Sequence, residues 1–314
     1  MSVKQQKSQV IFVHRFDLAN SGSFKMRGLD FAAELNENKF DSECTSETDP
    51  SLGEKRGCVI IFIKPIKLGL PKALSKYNTV IIDPLDDAHI LPKIQLPFHF
   101  IFSSNRSKEH YQKKFQLNKA HLLFHHFDQR ITRPSHLNAL KSIAYVGDPI
   151  KLENLPKQIL DIQYIDFNEF LAHCSTAAFH WTIKPPQFDF EPLTKTVTAL
   201  AGGAIPIINS LELGEILPKD YPFHISSGAP QSALLKLRND LEDEKKIGMA
   251  KSLISRIDIT HYSIQSSVIQ LMKIIEESQK ESPAIHFRLF SSAGILFHDL
   301  KIDFKRLYHR LRSF

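Results

Sequence analysis

Cysteine is scarce. Cys44, Cys58 and Cys174 stand far apart in 314 residues and form no C-x-x-C pair, which argues against a zinc knot and a disulfide framework. An odd, sparse set of thiols fits a reducing cytoplasm better than secretion. No window holds ~18 uninterrupted apolar residues, so no transmembrane helix is expected. The opening MSVKQQKSQVIFVHRF starts basic but runs quickly into charge with no leader-type cleavage region, and reads as a first strand. No repeat of solenoid period is visible. The fifteen histidines are scattered, and the pair His125–His126 lacks the helical spacing of metal ligands. Neither an arginine-rich run nor an aromatic RNP-like pattern is present, which argues against nucleic acid as a partner. The loop after the first strand holds one glycine, Gly22, so the fingerprint G-x-G-x-x-G is missing and a nicotinamide enzyme is disfavoured.

What is present is ordinary globular chemistry. An apolar share of 42% and a charged share of 24% support packed cores, and the length suits two domains. The net charge of +6 is compatible with anionic ligands or an anionic surface.

Short apolar runs recur with helical stretches between them. Gln9–His14, Cys58–Ile63, Thr79–Ile82, Phe98–Phe102 and Ala120–Phe124 read as buried strands. A helix is predicted from about Phe24 to Asn36 with Ser23 as its N-cap. Further helices are expected near Leu70–Lys76 and Arg106–Phe115, and polar Asn38–Gly57 reads as an exposed loop. This alternation predicts a mainly parallel, doubly wound sheet. His125–Asn138 breaks the rhythm and reads as a hinge. The pattern restarts with strands at Lys141–Val146, Leu160–Phe167 and Ala177–Ile183, and later Tyr221–Ser227. Helices are expected at Gln231–Leu241, Glu242–Ser255 and His261–Ser278. The implied domains are residues 1–130 and 131–280, followed by a basic amphipathic tail, 281–314. That tail suits either an anionic lipid surface, through 285–314, or a helix closing back on the N-terminal domain.

The most informative stretch is Ile183–Ser210, IKPPQFDFEPLTKTVTALAGGAIPIINS. It reads as a loop, a short helix over Leu193–Ala201, a Gly202–Gly203 turn and a buried strand, Ile205–Ile208. Thr194, Lys195, Thr196 and Thr198 crowd the first turns, where free amides and the helix dipole favour an anion.

A lysine-bearing helix start, a small-residue helix, a glycine turn and a P-I-I strand resemble part of the GT-B glycosyltransferases. In that family this helix faces the donor nucleotide and often ends in E-A-(M/L)-A-x-G-x-P-V-I; here the frame reads T-A-L-A-G-G-A-I-P-I. Many retaining members carry E-x7-E, and the frame puts Phe190 and Thr198 at those two positions, with Glu191 only a neighbour. The likeness extends to the first strand and helix, and to the strand before Gly147-Asp148-Pro149, where Lys151 follows but no arginine does. It implies a GT-B-like α/β fold of two Rossmann-like domains facing a cleft, with a C-terminal helical extension.

It also implies a nucleotide-sugar donor, a glycan or lipid-linked acceptor, no separate cofactor or metal, and work on the cytoplasmic side of a membrane. Lys184, Thr194, Lys195, Thr196 and Thr198 would then hold the diphosphate, whose charge grows as the glycosidic bond breaks. Asp17 and His126, each following a strand, are the candidate bases for the acceptor hydroxyl. His14, Arg15, Ser21, Gly22, Asp83 and His180 are the candidate substrate contacts, with His125 beside them, and Trp181, the lone tryptophan, is a candidate stacking platform. A sugar-nucleotide epimerase of related fold and a non-catalytic glycan-binding or assembly protein are the alternatives.

Overall fold

A computed structural model describes residues 8–91, 98–128, 131, 140–146, 156–165, 177–184, 192–280 and 299. The chain divides into two compact units, Met1–Phe124 with Ile264–Phe314, and His125–Ser263.

In the first unit, β1 (Val10–His14), β2 (Ser42–Ser46), β3 (Val59–Ile63), β4 (Thr79–Asp83), β5 (His99–Phe102) and β6 (Ala120–Leu122) form a parallel sheet in the order β2-β1-β3-β4-β5-β6. The central strands are continuous apolar runs because both faces are covered. Val10, Ile11, Val59, Ile60, Ile81 and Ile82 are fully buried or nearly so, each stabilising by roughly 1.5–3 kcal/mol relative to exposure.

The strand β2 corrects the reading of Asn38–Gly57 as a loop. Its sequence SECTS carries no apolar signal, yet it pairs in register with β1 from Val10↔Ser42 to His14↔Ser46. An edge strand needs one paired side only, and backbone bonds suffice for that. Phe40, just before it, anchors the approach in the core.

The helix after β1 starts earlier than expected. Ser21, not Ser23, is the cap, with its hydroxyl accepting from Phe24 N at 3.1 Å. The turn α1 (Gly22–Phe24) passes through a π-helical stretch, Lys25–Leu29, into α2 (Asp30–Glu37). Gly28 is required there, since a Cβ at that position would lie 2.4 Å from the Phe24 ring. The helices α3 (Gly69–Leu74) and α4 (Asn105–Phe115) fall where predicted, and α4 opens with a Ser104–Ser107 capping box.

The second unit holds β7 (Leu140–Val146), β8 (Ile162–Ile165), β9 (Ala177–Trp181), β10 (Ile205–Asn209) and β11 (His224–Ile225). They pair in parallel in the order β11-β10-β9-β7-β8. Around the first strand of each sheet the arrangement is the same: the second strand lies on one side and the third, fourth and fifth extend on the other. Both units are therefore doubly wound, with a reversal of winding beside β1/β3 and β7/β9, where such sheets open a crevice at the strand carboxyl ends.

Between β9 and β10 runs α5 (Thr194–Gly202), and α6 (Gln231–Asp240) and α7 (Glu244–Ile254) follow β11. The α5 helix stops as expected at Gly203, whose φ of 81° is left-handed; its N–H closes on Leu200 O and that of Ala204 on Ala199 O at 2.9 Å.

The last described helix, α8 (Ile264–Lys280), belongs to the first unit, whereas the sequence division at 280 allots it to the second. Its apolar stripe, Ile264, Val268, Leu271, Ile274 and Ile275, is buried with Phe12, Phe31, Leu35 and Ile61 in one core. The tail 285–314 lies outside the described residues apart from Asp299.

Candidate functional site

At the carboxyl edge of the second unit's sheet, α5 begins just after Leu193, which provides no side-chain cap. The first amides of this helix are thus not consumed by a serine, aspartate or asparagine at the cap position. Lys195 leaves this first turn and sets its ammonium 4.3 Å above the ring centroid of Tyr145, near the end of β7. Tyr145 is buried in the core of the unit, so the lysine rests on a fixed platform. Sequence reasoning missed Tyr145, which looks like any aromatic residue within a strand.

Lys184 follows β9 and donates from Nζ to Pro192 O, while its own carbonyl accepts from Ser227 Oγ at 2.8 Å. Both lysines are partly exposed. His180, in β9, is buried, and burial together with the charge of Lys195 lowers its pKa to about 3. It is neutral at physiological pH, inside the sheet layer. Trp181 is core, not a stacking platform.

The hydroxyls at the start of α5 separate into two groups. Thr194 is partly exposed, whereas Thr196 and Thr198 are 2% and 3% exposed. Thr196 Oγ1 lies 3.2 Å from Thr182 Oγ1 and donates to Glu212 Oε2 at 3.0 Å. Of the three threonines expected at a ligand, Thr196 turns its hydroxyl to Glu212, in a helix whose residues from Thr196 to Gly202 are all buried.

In the first unit, the carboxyl ends of β1, β3 and β4 carry a charged cluster. Arg15 pairs with Asp17 and lies 3.5 Å from Asp87; Lys64 pairs with Asp86. Asp17 is open to solvent, with 41% of its side chain exposed. His14 is partly buried, its Nδ1 2.8 Å from Arg15 O and its ring 4.3 Å from that of Phe24. Ser21 is spent as a helix cap and Gly22 opens α1. Asp83 is not a surface group: it is buried against Arg27, with Arg27 Nε 3.3 Å from its Oδ2. Burial pushes the Asp83 carboxyl up and Arg27 pulls it back.

The two histidines after β6 fall in the second unit and are buried. His126 is 0% exposed, with Nδ1 2.8 Å from Phe127 O, and His125 Nδ1 is 3.1 Å from His126 O. As placed, His126 presents no surface to an acceptor hydroxyl. Among the described residues no group of three or more histidine, cysteine or acidic side chains could hold a metal ion, and no helix is long and apolar enough to cross a membrane.

Two doubly wound units in one chain, with the last described helix belonging to the first of them, define a GT-B-like glycosyltransferase fold. Solved structures share it at low identity. A glycosyltransferase from Rickettsia africae aligns with 88% of this chain and 100% of its own, at 11% identity and a TM-score of 0.58. HepE of Anabaena, in complex with UDP-glucose, aligns over 86% and 99% at 12% identity and a TM-score of 0.58. The lipopolysaccharide outer core galactosyltransferase WaaB aligns over 86% and 99% at 9% identity and a TM-score of 0.54. No family model matches the sequence, and no curated protein matches it.

Proposed function

We propose that the protein is a glycosyltransferase that moves a sugar from a nucleoside-diphosphate donor to a glycan or lipid-linked acceptor. The observation that carries this reading is the ammonium of Lys195, held on Tyr145 at the uncapped start of α5 and at the carboxyl edge of a doubly wound sheet. Such an edge is where open α/β sheets bind ligands, and a helix start with a lysine suits a diphosphate. The fold shared with HepE, whose structure contains UDP-glucose, supports the same assignment.

In this reading Thr194, Lys195, Lys184 and the first amides of α5 hold the diphosphate. A base takes the proton from the acceptor hydroxyl, its oxygen bonds to the anomeric carbon, and the bond from that carbon to the diphosphate oxygen breaks. The electron pair stays on the diphosphate, where fixed positive charge stabilises it. Of the two candidate bases, Asp17 is the one open to solvent. Work at the cytoplasmic side of a membrane, with the basic segment 285–314 at the lipid surface, is part of the proposal.

The test is a thermal-shift panel of UDP-, GDP-, ADP- and CMP-sugars on wild type and Lys195→Ala. Stabilisation by one nucleotide, reduced in the variant, supports the donor site; no response to any of them overturns it. A second reading, a non-catalytic glycan-binding or assembly protein, is favoured by Thr198, a buried threonine where many retaining members of this fold carry a glutamate. Donor hydrolysis by wild type, lost in Asp17→Ala, rules it out.

A further inference from the structure

Glu212 is a carboxylate inside the second unit, 8% exposed, at the end of a short turn, Ser210–Glu212, that follows β10. Its Oε2 accepts the Thr196 hydroxyl at 3.0 Å; Thr196 Oγ1 lies 3.2 Å from Thr182 Oγ1, which lies 2.9 Å from Ile207 O. The Thr196 hydroxyl has one proton, and it goes to Glu212. Thr182 spends its own hydroxyl proton on Ile207 O at 2.9 Å, and the same carbonyl accepts the Thr182 N–H at 3.1 Å. This chain ties three elements together: the residue after β9, the first turn of α5 and the turn after β10.

The same turn also reaches the second cation. Asn209 caps it by accepting Leu211 N at 3.1 Å, and its amide donates to Ser227 Oγ at 2.7 Å. Ser227 in turn donates to the carbonyl of Lys184. One turn therefore braces both the helix that carries Lys195 and the backbone that carries Lys184.

We propose that Glu212 is a positioning residue: by accepting the Thr196 hydroxyl it fixes the first turn of α5, so that Lys195 and the leading amides face a diphosphate. This rests on the donor-site reading above. A neutral acceptor can do the same work, and the negative charge itself is not needed at the ligand.

The experiment is calorimetric titration of UDP, GDP, ADP and inorganic pyrophosphate into the full chain, as wild type, Glu212→Ala, Glu212→Gln, Thr196→Val and Thr196→Ser. Loss of one hydrogen bond to a charged group predicts a Kd about tenfold weaker for Glu212→Ala and Thr196→Val. Glu212→Gln and Thr196→Ser keep an acceptor and a donor in place and stay within about twofold of wild type. Glu212→Gln as weak as Glu212→Ala, or Glu212→Ala equal to wild type while wild type binds, overturns the positioning role alone. Wild type binding none of the four probes overturns the donor-site reading itself. If Glu212→Ala does not fold, the Thr196→Val and Thr196→Ser pair carries the test, and equal affinity in those two sinks the proposal.

Discussion

Arg27 lies wholly inside the first unit with its Nε 3.3 Å from Asp83 Oδ2, and its terminal nitrogens donate to Leu123 O at 2.9 Å and Phe124 O at 3.4 Å. The guanidinium therefore joins the end of β4 to the chain leaving β6. Burial lowers the pKa of Arg27, opposed by the charge of Asp83. Two ions out of water are costly, and the pair is tolerated because carbonyl oxygens share the load. Arg27→Met strands the carboxylate and is expected to cost about 3–5 kcal/mol. Arg27→Met with Asp83→Leu should recover most of that. Native-state hydrogen exchange of the β3 and β4 amides measures both, and equal losses in single and double variants contradict this account.

His180 gives a pH signature. Its folded pKa near 3 is below the unfolded value of 6.5, so the unfolded chain binds the extra proton between those values. Its contribution to stability is complete above about pH 6.5 and is lost as the pH falls toward 3, with a limiting slope of about 1.4 kcal/mol per pH unit. Unfolding of wild type and His180→Gln from pH 4 to 7.5 should give a stability difference that shrinks on acidification. A difference independent of pH would show that His180 is not the titrating group.

Lys195 and Tyr145 should behave as a couple. Tyr145→Phe keeps the ring and leaves nucleotide affinity unchanged. Tyr145→Leu removes the platform and should weaken binding by about fivefold, the size of a partly desolvated cation–π contact of ~1 kcal/mol. In Lys195→Ala the same tyrosine change should have no further effect on affinity, which a double-mutant cycle by calorimetry reads directly.

Gly203 ends α5 with φ at 81°. Gly203→Ala should cost about 1 kcal/mol, because a Cβ disfavours the left-handed region. A variant as stable as wild type in urea would place the end of the helix elsewhere.

Much of the architecture is readable in the sequence because both sheets are covered on two faces. Val59–Ile63 and Ile205–Asn209 are apolar runs bounded by turn residues, and such runs announce themselves. The glycine stop of α5 is equally plain. What escapes is held by backbone or by distance. The strand Ser42–Ser46 pairs through main-chain bonds that polar side chains do not betray. The inward turn of Thr196 depends on the azimuth of α5 over the sheet, and its partner Glu212 lies sixteen residues away in a turn with no periodic signal. The placement of α8 in the first unit follows from which core its stripe matches, and an amphipathic pattern is silent about its recipient.

That placement has a consequence for synthesis. The first unit is begun by residues made early and closed by a helix made more than a hundred residues later, whereas the second is one uninterrupted segment. On the ribosome, the nascent sheet around β1 and β3 waits with the seats of Ile264, Val268, Leu271, Ile274 and Ile275 unfilled until α8 emerges. A polypeptide cut after Phe124 keeps that apolar surface bare, while 125–263 carries every described strand of the second sheet.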